Sequence, residues 1–279
     1  MELTVHTRAL IDLALMEDVN GGDITTRATI TVDHRSRAVV TAKEDLVLAG
    51  IPVFRAVFER LGEDVLYRTA GTDGDFVSVG TAVMEVEGPT ATLLMGERTA
   101  LNFLMRLSGI ATLTRKCMDA VAGTGASVVD TRKTTPGWRY LEKYAVRMGG
   151  GRNHRFSLSD GVLIKDNHIT ASGGITKAVG RARKYAPHTS RIEVEVSNVE
   201  QITEALDAGA DILLLDNMPP GEIDDAVSLI DGRALTEASG GITLENIRDY
   251  AEAGVDFISL GALTHGARSV DINMKIMAA

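Results

Sequence analysis

Cys117 is the one cysteine among 279 residues. That excludes an internal disulfide and a cysteine-based zinc site, and it fits a reducing compartment. Aromatic residues make up 4% of the chain, too few for the stacking platforms of a single-strand nucleic-acid binder. Positive charge is scarce as well: 29 Lys and Arg stand against 38 Asp and Glu, a formal net charge of −9. A nucleic-acid or membrane-surface role selects a basic face, so both are disfavoured. No apolar run approaches the ~20 residues that span a bilayer. The opening "MELTVHTRALIDLALMEDV" places Glu2 early and closes a short apolar stretch with Glu17 and Asp18, unlike a signal or transit peptide. The expected setting is the cytoplasm. The six histidines show no metal-ligand spacing, and neither a Walker A motif nor a strand-borne GxGxxG occurs.

What the chain does have is a rhythm in its second half. "SVVD" (127–130), "VLIK" (162–165), "IEVEV" (192–196), "ILLLD" (212–216), "ALTEAS" (234–239) and "FISLG" (257–261) are short apolar, β-branched runs. Read as lacking alternation, they predict strands buried on both faces, as in parallel sheets. Helical patterns lie between the later ones. "NVEQITEALDAG" starts with Asn198 as N-cap and stops at Gly209, and "TLENIRDYAEAG" repeats this with Thr243 and Gly254. Residues 200–217 align without gaps on 245–262, as consecutive units of a barrel would. The first half reads as a separate α+β domain: "RAVVTAKEDLVLAG" and "GTAVMEVEG" as strands, "IPVFRAVFERLG" and "TLLMGERTALNFLMRLSGIATLTRKCMDAVAG" as helices. The expected division is 1–108 for an N-terminal domain, open to being rejoined by 267–279, and 109–266 for an α/β barrel, with the boundary near Gly109 or along the helix that follows and the tail "DINMKIMAA" free to return to either.

Charge is distributed unevenly. From Arg132 to Lys165 there are eight Lys or Arg against Glu142 and Asp160, so this window is +6 and the remainder of the chain sums to −15. Concentrated like charge destabilises unless an anion sits among it. Arg132 and Lys133 follow the first strand of the second half, Lys165 ends the next, and Glu195, Asp216, Ser239 and Gly261 lie at the ends of those that follow. In a parallel α/β barrel such positions converge at one mouth. Any one of them alone is what a βα loop carries anyway. Glu195 and Asp216, beside so many cations, are expected to stay ionised. That suits holding Mg²⁺ or stabilising positive charge on a sugar carbon. Salt bridges to neighbouring Lys or Arg are the plainer alternative.

Two glycine-rich stretches have double readings. In "EASGGITLENI", Ser239, Gly240 and Gly241 precede a helix expected from Thr243, offering free N–H groups to a phosphate, with Gly261 adding a second turn. A flexible turn explains the same glycines equally well. In "MGGGRNHR", Gly149 would stop the helix "RYLEKYAVRM". The extra glycines would let Arg152, His154 and Arg155 fold over the mouth. Flanking arginines favour a neutral His154, a hydrogen-bond donor and not a base.

The stretches "EDVNGGDITT", "ERTALNFLMRLSGIAT", "DTRKTTPGWRYLEKYAVRMGGGRNHR", "LIKDNHI", "EVEV", "LLLDN" and "EASGGI" resemble, in order and spacing, the quinolinate phosphoribosyltransferase family. Trp138 departs from it, a smaller aliphatic residue being expected there. The resemblance implies an N-terminal α/β sandwich and an incomplete, seven-stranded TIM-like α/β barrel. It implies a homodimer with a shared active site, and a reaction of quinolinate with phosphoribosyl pyrophosphate that uses Mg²⁺ and releases pyrophosphate and CO₂. By resemblance, Arg132, His154, Arg155 and Lys165 hold the quinolinate carboxylates, with Arg98 reaching in from the partner subunit. Lys133 and Thr134, with Lys165, meet the phosphoribosyl side; Glu195 and Asp216 bind ribose and Mg²⁺; Ser239, Gly240, Gly241 and Gly261 take the 5-phosphate. Lys165, Glu195 and Asp216 are the expected catalytic residues. A paralogue acting on another acceptor, such as the molybdenum-uptake-associated homologue, is the near rival, and a non-catalytic anion binder the distant one.

Overall fold

The structure, a computed structural model, describes residues 1–62 and 64–277. It divides into two compact units: residues 1–115, 135–150 and the stretch from Gly266 onward form one, and 116–134 with 151–265 form the other. Of the tail expected to return to either domain, 278–279 lie outside the described residues.

The first unit opens with helices α1 (Val5–Val19) and α2 (Ile24–Thr29). Each starts on a side chain that accepts an otherwise unpaired N–H: Thr4 takes that of Thr7 at 3.1 Å and Asp23 that of Thr26 at 3.0 Å. Its sheet has the order β12 (Ile272–Ile276), β1 (Arg35–Ala42), β5 (Ala82–Pro89), β3 (Leu66–Thr69), every pair antiparallel. Buried residues alternate along β1, as in a sheet with one face on the core and one wet. The tail from Ile272 is thus an edge strand on β1. A two-stranded pair, β2 (Leu46–Val47) with β4 (Phe76–Val77), lies apart from that sheet. Helix α3 (Ile51–Leu61) buries Phe54 and Phe58 against each other, ring centroids 5.2 Å apart. Burying side chains of this size contributes about 1.5–3 kcal/mol each.

Helix α4 (Thr90–Ala120) runs unbroken through the expected boundary at 108/109. Helix α5 (Arg139–Met148) clusters with the first unit, although its residues lie within the expected barrel span. It is held there by Glu142, fully buried, which accepts from Arg106 Nη2 at 2.9 Å and from the Thr135 N–H at 3.0 Å. Trp138, the departure noted above, stacks on Phe103 of α4 at 4.7 Å between centroids. Gly149 does stop α5, but with φ −73°. A Cβ there would lie 2.5 Å from the Ala111 carbonyl oxygen, so close packing on α4 is what demands glycine.

The second unit is built on six parallel strands: β6 (Ser127–Val129), β7 (Val162–Ile164), β8 (Ile192–Val196), β9 (Ile212–Asp216), β10 (Leu235–Ser239) and β11 (Phe257–Ser259). Their order is β6–β11–β10–β9–β8–β7, so the last strand closes on the first and the gap falls between β6 and β7. Helices α6 (Asp166–Ser172), α7 (Ile175–Tyr185), α8 (Val199–Asp207), α9 (Pro220–Ile230), α10 (Ile247–Glu252) and α11 (Ala262–His265) follow the strands in turn. Asn198 caps α8 as expected, accepting from the Gln201 N–H. The repeat 200–217 and 245–262 is α8–β9 and α10–β11. Helix α10, however, starts at Ile247 and not near Thr243, because the Asn246 side chain accepts the Thr243 N–H and holds 243–246 as a turn.

Instead of seven strands, the described residues contain six and one isolated parallel bridge, Val129 with Arg152, in the gap beside β6. The pairing stops after this step because the Asp130 carboxylate takes the next donors. It accepts the His154 N–H at 2.9 Å and Asn153 Nδ2 at 2.6 Å. Among the described residues, no helix is long and apolar enough to cross a membrane.

Candidate active site

Residues in register on parallel strands share a face, and faces alternate along a strand. Glu195 is in register with Leu214, Leu214 with Glu237, and Glu237 with Phe257. One pleat onward, Asp216, Ser239 and Ser259 are in register. Leu163 pairs with Glu193, which sets Lys165, two residues on, level with Glu195. Ile192, Val194 and Val196 of β8 are 0–1% exposed on the opposite face, so Glu193 and Glu195 point inward. "IEVEV" therefore does alternate, contrary to the sequence reading of strands apolar on both faces.

This inward face opens into a cavity of about 660 Å³ at the C-terminal ends of the strands, entirely within the second unit. Arg132, Lys133, His154, Arg155, Lys165, Asp216, Ser239, Gly240, Gly241 and Gly261, each predicted from sequence, line it together. Lys165 is the residue between β7 and α6, where its backbone N–H donates to His168 Nδ1 at 3.0 Å. Its Nζ pairs with the Glu195 carboxylate, so the plainer reading of Glu195, a salt bridge, is realised. Asp216 Oδ2 accepts from Asn217 Nδ2 at 2.7 Å. Burial, the neighbouring Arg132 and the absence of full compensation by Glu193 pull the Arg155 guanidinium below its ordinary range; an arginine retains its charge even so.

The glycine turns are tight. Gly240 has φ +97°, and a Cβ there would lie 2.2 Å from Asn217 Oδ1. At Gly261 a Cβ would lie 2.8 Å from Lys133 Cδ, so the lysine stem runs across a position that only glycine leaves open. The cavity rim therefore combines backbone N–H groups with a lysine, a combination suited to phosphate oxygens.

His154 faces the barrel interior. Its Nδ1 accepts the Arg155 N–H at 2.7 Å, which puts the neutral ring's proton on Nε2. Nε2 lies 3.1 Å from Glu193 Oε2 and 3.7 Å from Glu237 Oε1. The reading of His154 as a donor agrees with this, although the flanking arginines do not both face it: Arg152 sits over the Phe257 ring at 5.5 Å. Burial and the adjacent Glu193 push the Glu237 carboxyl up to about 7.

Three expected residues are not part of the cavity lining, and Glu195 is one of them, reaching it only through its pair with Lys165. Thr134 is half-buried and outside its lining, its N–H donating to the Arg132 carbonyl at 2.9 Å. Arg98 is exposed on α4, in the first unit. Of the cationic run, Arg139, Lys143 and Arg147 belong to α5 in the first unit. Sequence reasoning missed Thr131, Asn217, Ser259 and His265 in the lining, and Glu193 and Glu237 in the interior. The signal for the two glutamates was the polar residue at every second place in "IEVEV" and "LTEAS".

Comparison with known proteins adds the following. The profile described as quinolinate phosphoribosyl transferase, C-terminal domain, matches residues 110–275, and that of the N-terminal domain matches 23–108. The chain is 45% identical over 272 residues to a probable nicotinate-nucleotide pyrophosphorylase (carboxylating) of Bacillus subtilis, covering 98% of this chain and 94% of that one. It is 42% identical over 292 residues to the chloroplastic nicotinate-nucleotide pyrophosphorylase (carboxylating) of Arabidopsis thaliana, covering 98% and 83%. Among solved structures, NadC from Streptococcus pyogenes is similar with a TM-score of 0.95 at 42% identity, each chain covered completely at 100%.

Proposed function

The chain belongs to the quinolinate phosphoribosyltransferase family, and on that footing we propose how its barrel rim carries out the family's reaction. The reaction moves the phosphoribosyl group from phosphoribosyl pyrophosphate to the nitrogen of quinolinate. It yields nicotinate mononucleotide, pyrophosphate and CO₂, a step of de novo NAD synthesis. The observation that carries the assignment is the convergence of Arg132, Lys133, Arg155 and Lys165 on one cavity with Asp216 and the glycine turns.

In this reading Arg132, Arg155 and Lys165, with His154 beside them, receive the dicarboxylate, whose charges need fixed cations once water is excluded. Lys133 and Thr134, with Ser239, Gly240, Gly241 and Gly261, take the phosphoribosyl side. Two polyanions that repel in solution are thereby held close enough to react. The bond from C1 of the ribose to pyrophosphate breaks, positive charge grows on C1, and Glu195 and Asp216 stabilise it electrostatically. The pyridine nitrogen then bonds to C1. The quaternised ring accepts the electron pair of the C2–carboxylate bond, CO₂ leaves, and C2 takes up a proton. Lys165 serves both substrates, drawing in the carboxylate and meeting the phosphoribosyl side, and its pair with Glu195 orients it.

Mg²⁺ is proposed as the cofactor. Glu195 and Asp216 are oxygen donors near the ends of adjacent strands, and one or two carboxylates are what Mg²⁺ takes from a protein when phosphates complete its shell. When bound, it neutralises charge on the departing pyrophosphate. We also propose a homodimer in which the partner subunit's Arg98 completes the dicarboxylate pocket, supported by the exposure of that arginine on α4. A cytoplasmic setting goes with this, supported by the buried thiol of Cys117, the chain's one cysteine.

The direct test supplies quinolinate, phosphoribosyl pyrophosphate and Mg²⁺ and measures CO₂ and nicotinate mononucleotide. The two products are expected in equal amounts, with loss of both on chelation. Absence of CO₂ with all three present contradicts the assignment.

A further inference from the structure

The segment from Gly151 to Gly161 occupies the gap in the barrel, yet it is tied to β6 by a single bridge at Arg152. A strand in that place would be held by a ladder of backbone hydrogen bonds. Here side chains do the holding. Asp130, wholly buried, accepts the His154 N–H and Asn153 Nδ2. His154 Nδ1 in turn accepts the Arg155 N–H, and the His154 Nε2–H faces Glu193 Oε2 at 3.1 Å.

Glu193 and Glu237 are 5% and 4% exposed, and Oε1 of each has no hydrogen-bond partner. With His154 they place three ligand-type atoms within 4.8 Å of one another, the outline of a metal triad. The tautomer argues against a metal there. A cation on Nε2 requires the ring proton on Nδ1, and the Arg155 N–H already points at that atom. The same hydrogen bonds occupy both ring nitrogens of His154 with protein partners.

We propose that Glu193 is a positioning residue for dicarboxylate recognition: by accepting the His154 Nε2–H it fixes the tautomer whose Nδ1 anchors the Arg155 backbone, and so sets where the Arg155 guanidinium meets the substrate. His154 then acts through Arg155. The role is needed because this stretch lacks a ladder of its own, and because Arg155 must be held beside Arg132, which repels it. Burial and the nearby Glu193 push the Glu237 carboxyl up to about 7, and its proton lessens the repulsion between two carboxyl groups that share the interior.

The proposal rests on the assignment of Arg155 to quinolinate, and the experiment separates the two. Steady-state kinetics are measured against each substrate for the unaltered enzyme and for Arg155→Ala, Glu193→Leu and Glu193→Gln. An unchanged KM for quinolinate in Arg155→Ala overturns the site assignment itself. With that assignment standing, Glu193→Leu is expected to raise the KM for quinolinate about tenfold or more, the worth of one charge-assisted hydrogen bond, with the KM for phosphoribosyl pyrophosphate changed far less. Glu193→Gln keeps an oxygen acceptor and is expected to recover most of the loss. Equal effects on both substrates, or Leu and Gln variants that behave alike, overturn the proposal. Should Glu193→Leu fail to fold, ¹⁵N shifts of His154 in the unaltered enzyme and in Glu193→Gln decide it: the Nε2–H tautomer is expected in both, and the Nδ1–H form or an imidazolium near neutral pH overturns it.

Discussion

Replacing Gly240 by alanine tests whether the turn after β10 is a phosphate cradle shaped by close approach. Gly240 has φ +97°, and its added methyl would lie 2.2 Å from Asn217 Oδ1, 2.6 Å from Asn217 Cγ and 3.0 Å from the Asn217 backbone nitrogen. The side-chain atoms can swing away, but the backbone atom cannot. Asn217 is itself constrained, with φ 56°, its N–H donating to the Ser239 carbonyl at 2.8 Å and its Nδ2 to Asp216 at 2.7 Å. Holding a non-glycine residue in that region costs about 1–3 kcal/mol, and losing the Asn217–Asp216 bond about 0.5–1.5 kcal/mol more. A total near 3 kcal/mol lowers Tm by roughly 6–12 °C for a chain of this size. Asn217 and Asp216 both line the cavity, so the KM for phosphoribosyl pyrophosphate is expected to rise about tenfold, the cost of one misplaced polar contact. Gly241→Ala is the control. Its φ is +64° and nothing lies within 4 Å of the added methyl, so it loses only about 1–2 kcal/mol of left-handed strain and keeps the N–H that a phosphate would use. Thermal unfolding and kinetics of the two variants, side by side, refute the reasoning if they lose the same stability and bind the substrate alike.

Four other expectations follow from particular contacts. Lys165→Ala and Arg132→Ala are each expected to abolish turnover with circular dichroism unchanged; near-normal rates in either would remove it from the site. Arg98→Ala should be inactive alone and partly rescued when mixed with Lys165→Ala, because a hybrid dimer retains one intact site; no rescue after confirmed subunit exchange counts against sharing. Glu142→Ala removes a fully buried carboxylate that accepts from the partly exposed Arg106 and should cost about 1.5–3 kcal/mol in urea unfolding, a near-neutral result contradicting its role in holding α5. Glu237 keeps its proton in the folded state up to about 7, whereas an unfolded glutamate loses it near pH ~4.3. Ionisation of the unfolded chain therefore lowers stability as pH rises between those values. Glu237→Gln should escape this, gaining on the order of 2 kcal/mol relative to the unaltered protein from pH 5 to pH 8; a difference independent of pH would show that the carboxyl titrates normally.

The rim of the site was legible because strand ends are legible. A short apolar run followed by a polar residue marks both a strand and the place where it stops, and a parallel barrel brings those stops together. That logic found Lys165, Asp216, Ser239 and Gly261 one at a time. The barrel interior was less accessible to it. Glu193 and Glu237 are 44 residues apart in the chain, and what joins them is the register of β8, β9 and β10, a property of pairing that no local window contains. The alternation in "IEVEV" was visible, but apolar neighbours masked it. The start of α10 was misjudged for a local reason: Thr243 and Asn246 are both capping residues, and Asn246 reaches the Thr243 N–H first.

The cationic run is divided between the two units. A net +6 between Arg132 and Lys165 suggested one bowl for polyanions, yet four of its eight cations line the cavity. Arg139, Lys143 and Arg147 recur at helical spacing on α5, where Lys143 is 2% exposed and Arg147 lies over the Tyr144 ring at 5.7 Å. They belong to the first unit and not to the cavity. The cations that remain for the site, Arg132, Lys133, Arg155 and Lys165, are met by carboxylates the window did not contain: Glu193 beneath Arg155, Glu195 on Lys165 and Asp216 across the mouth. A cavity for polyanions thus carries negative charge of its own. Cations held by fixed carboxylates keep their geometry before the substrate arrives, and that preorganisation, more than the excess of positive charge, is what lets two anions be brought together.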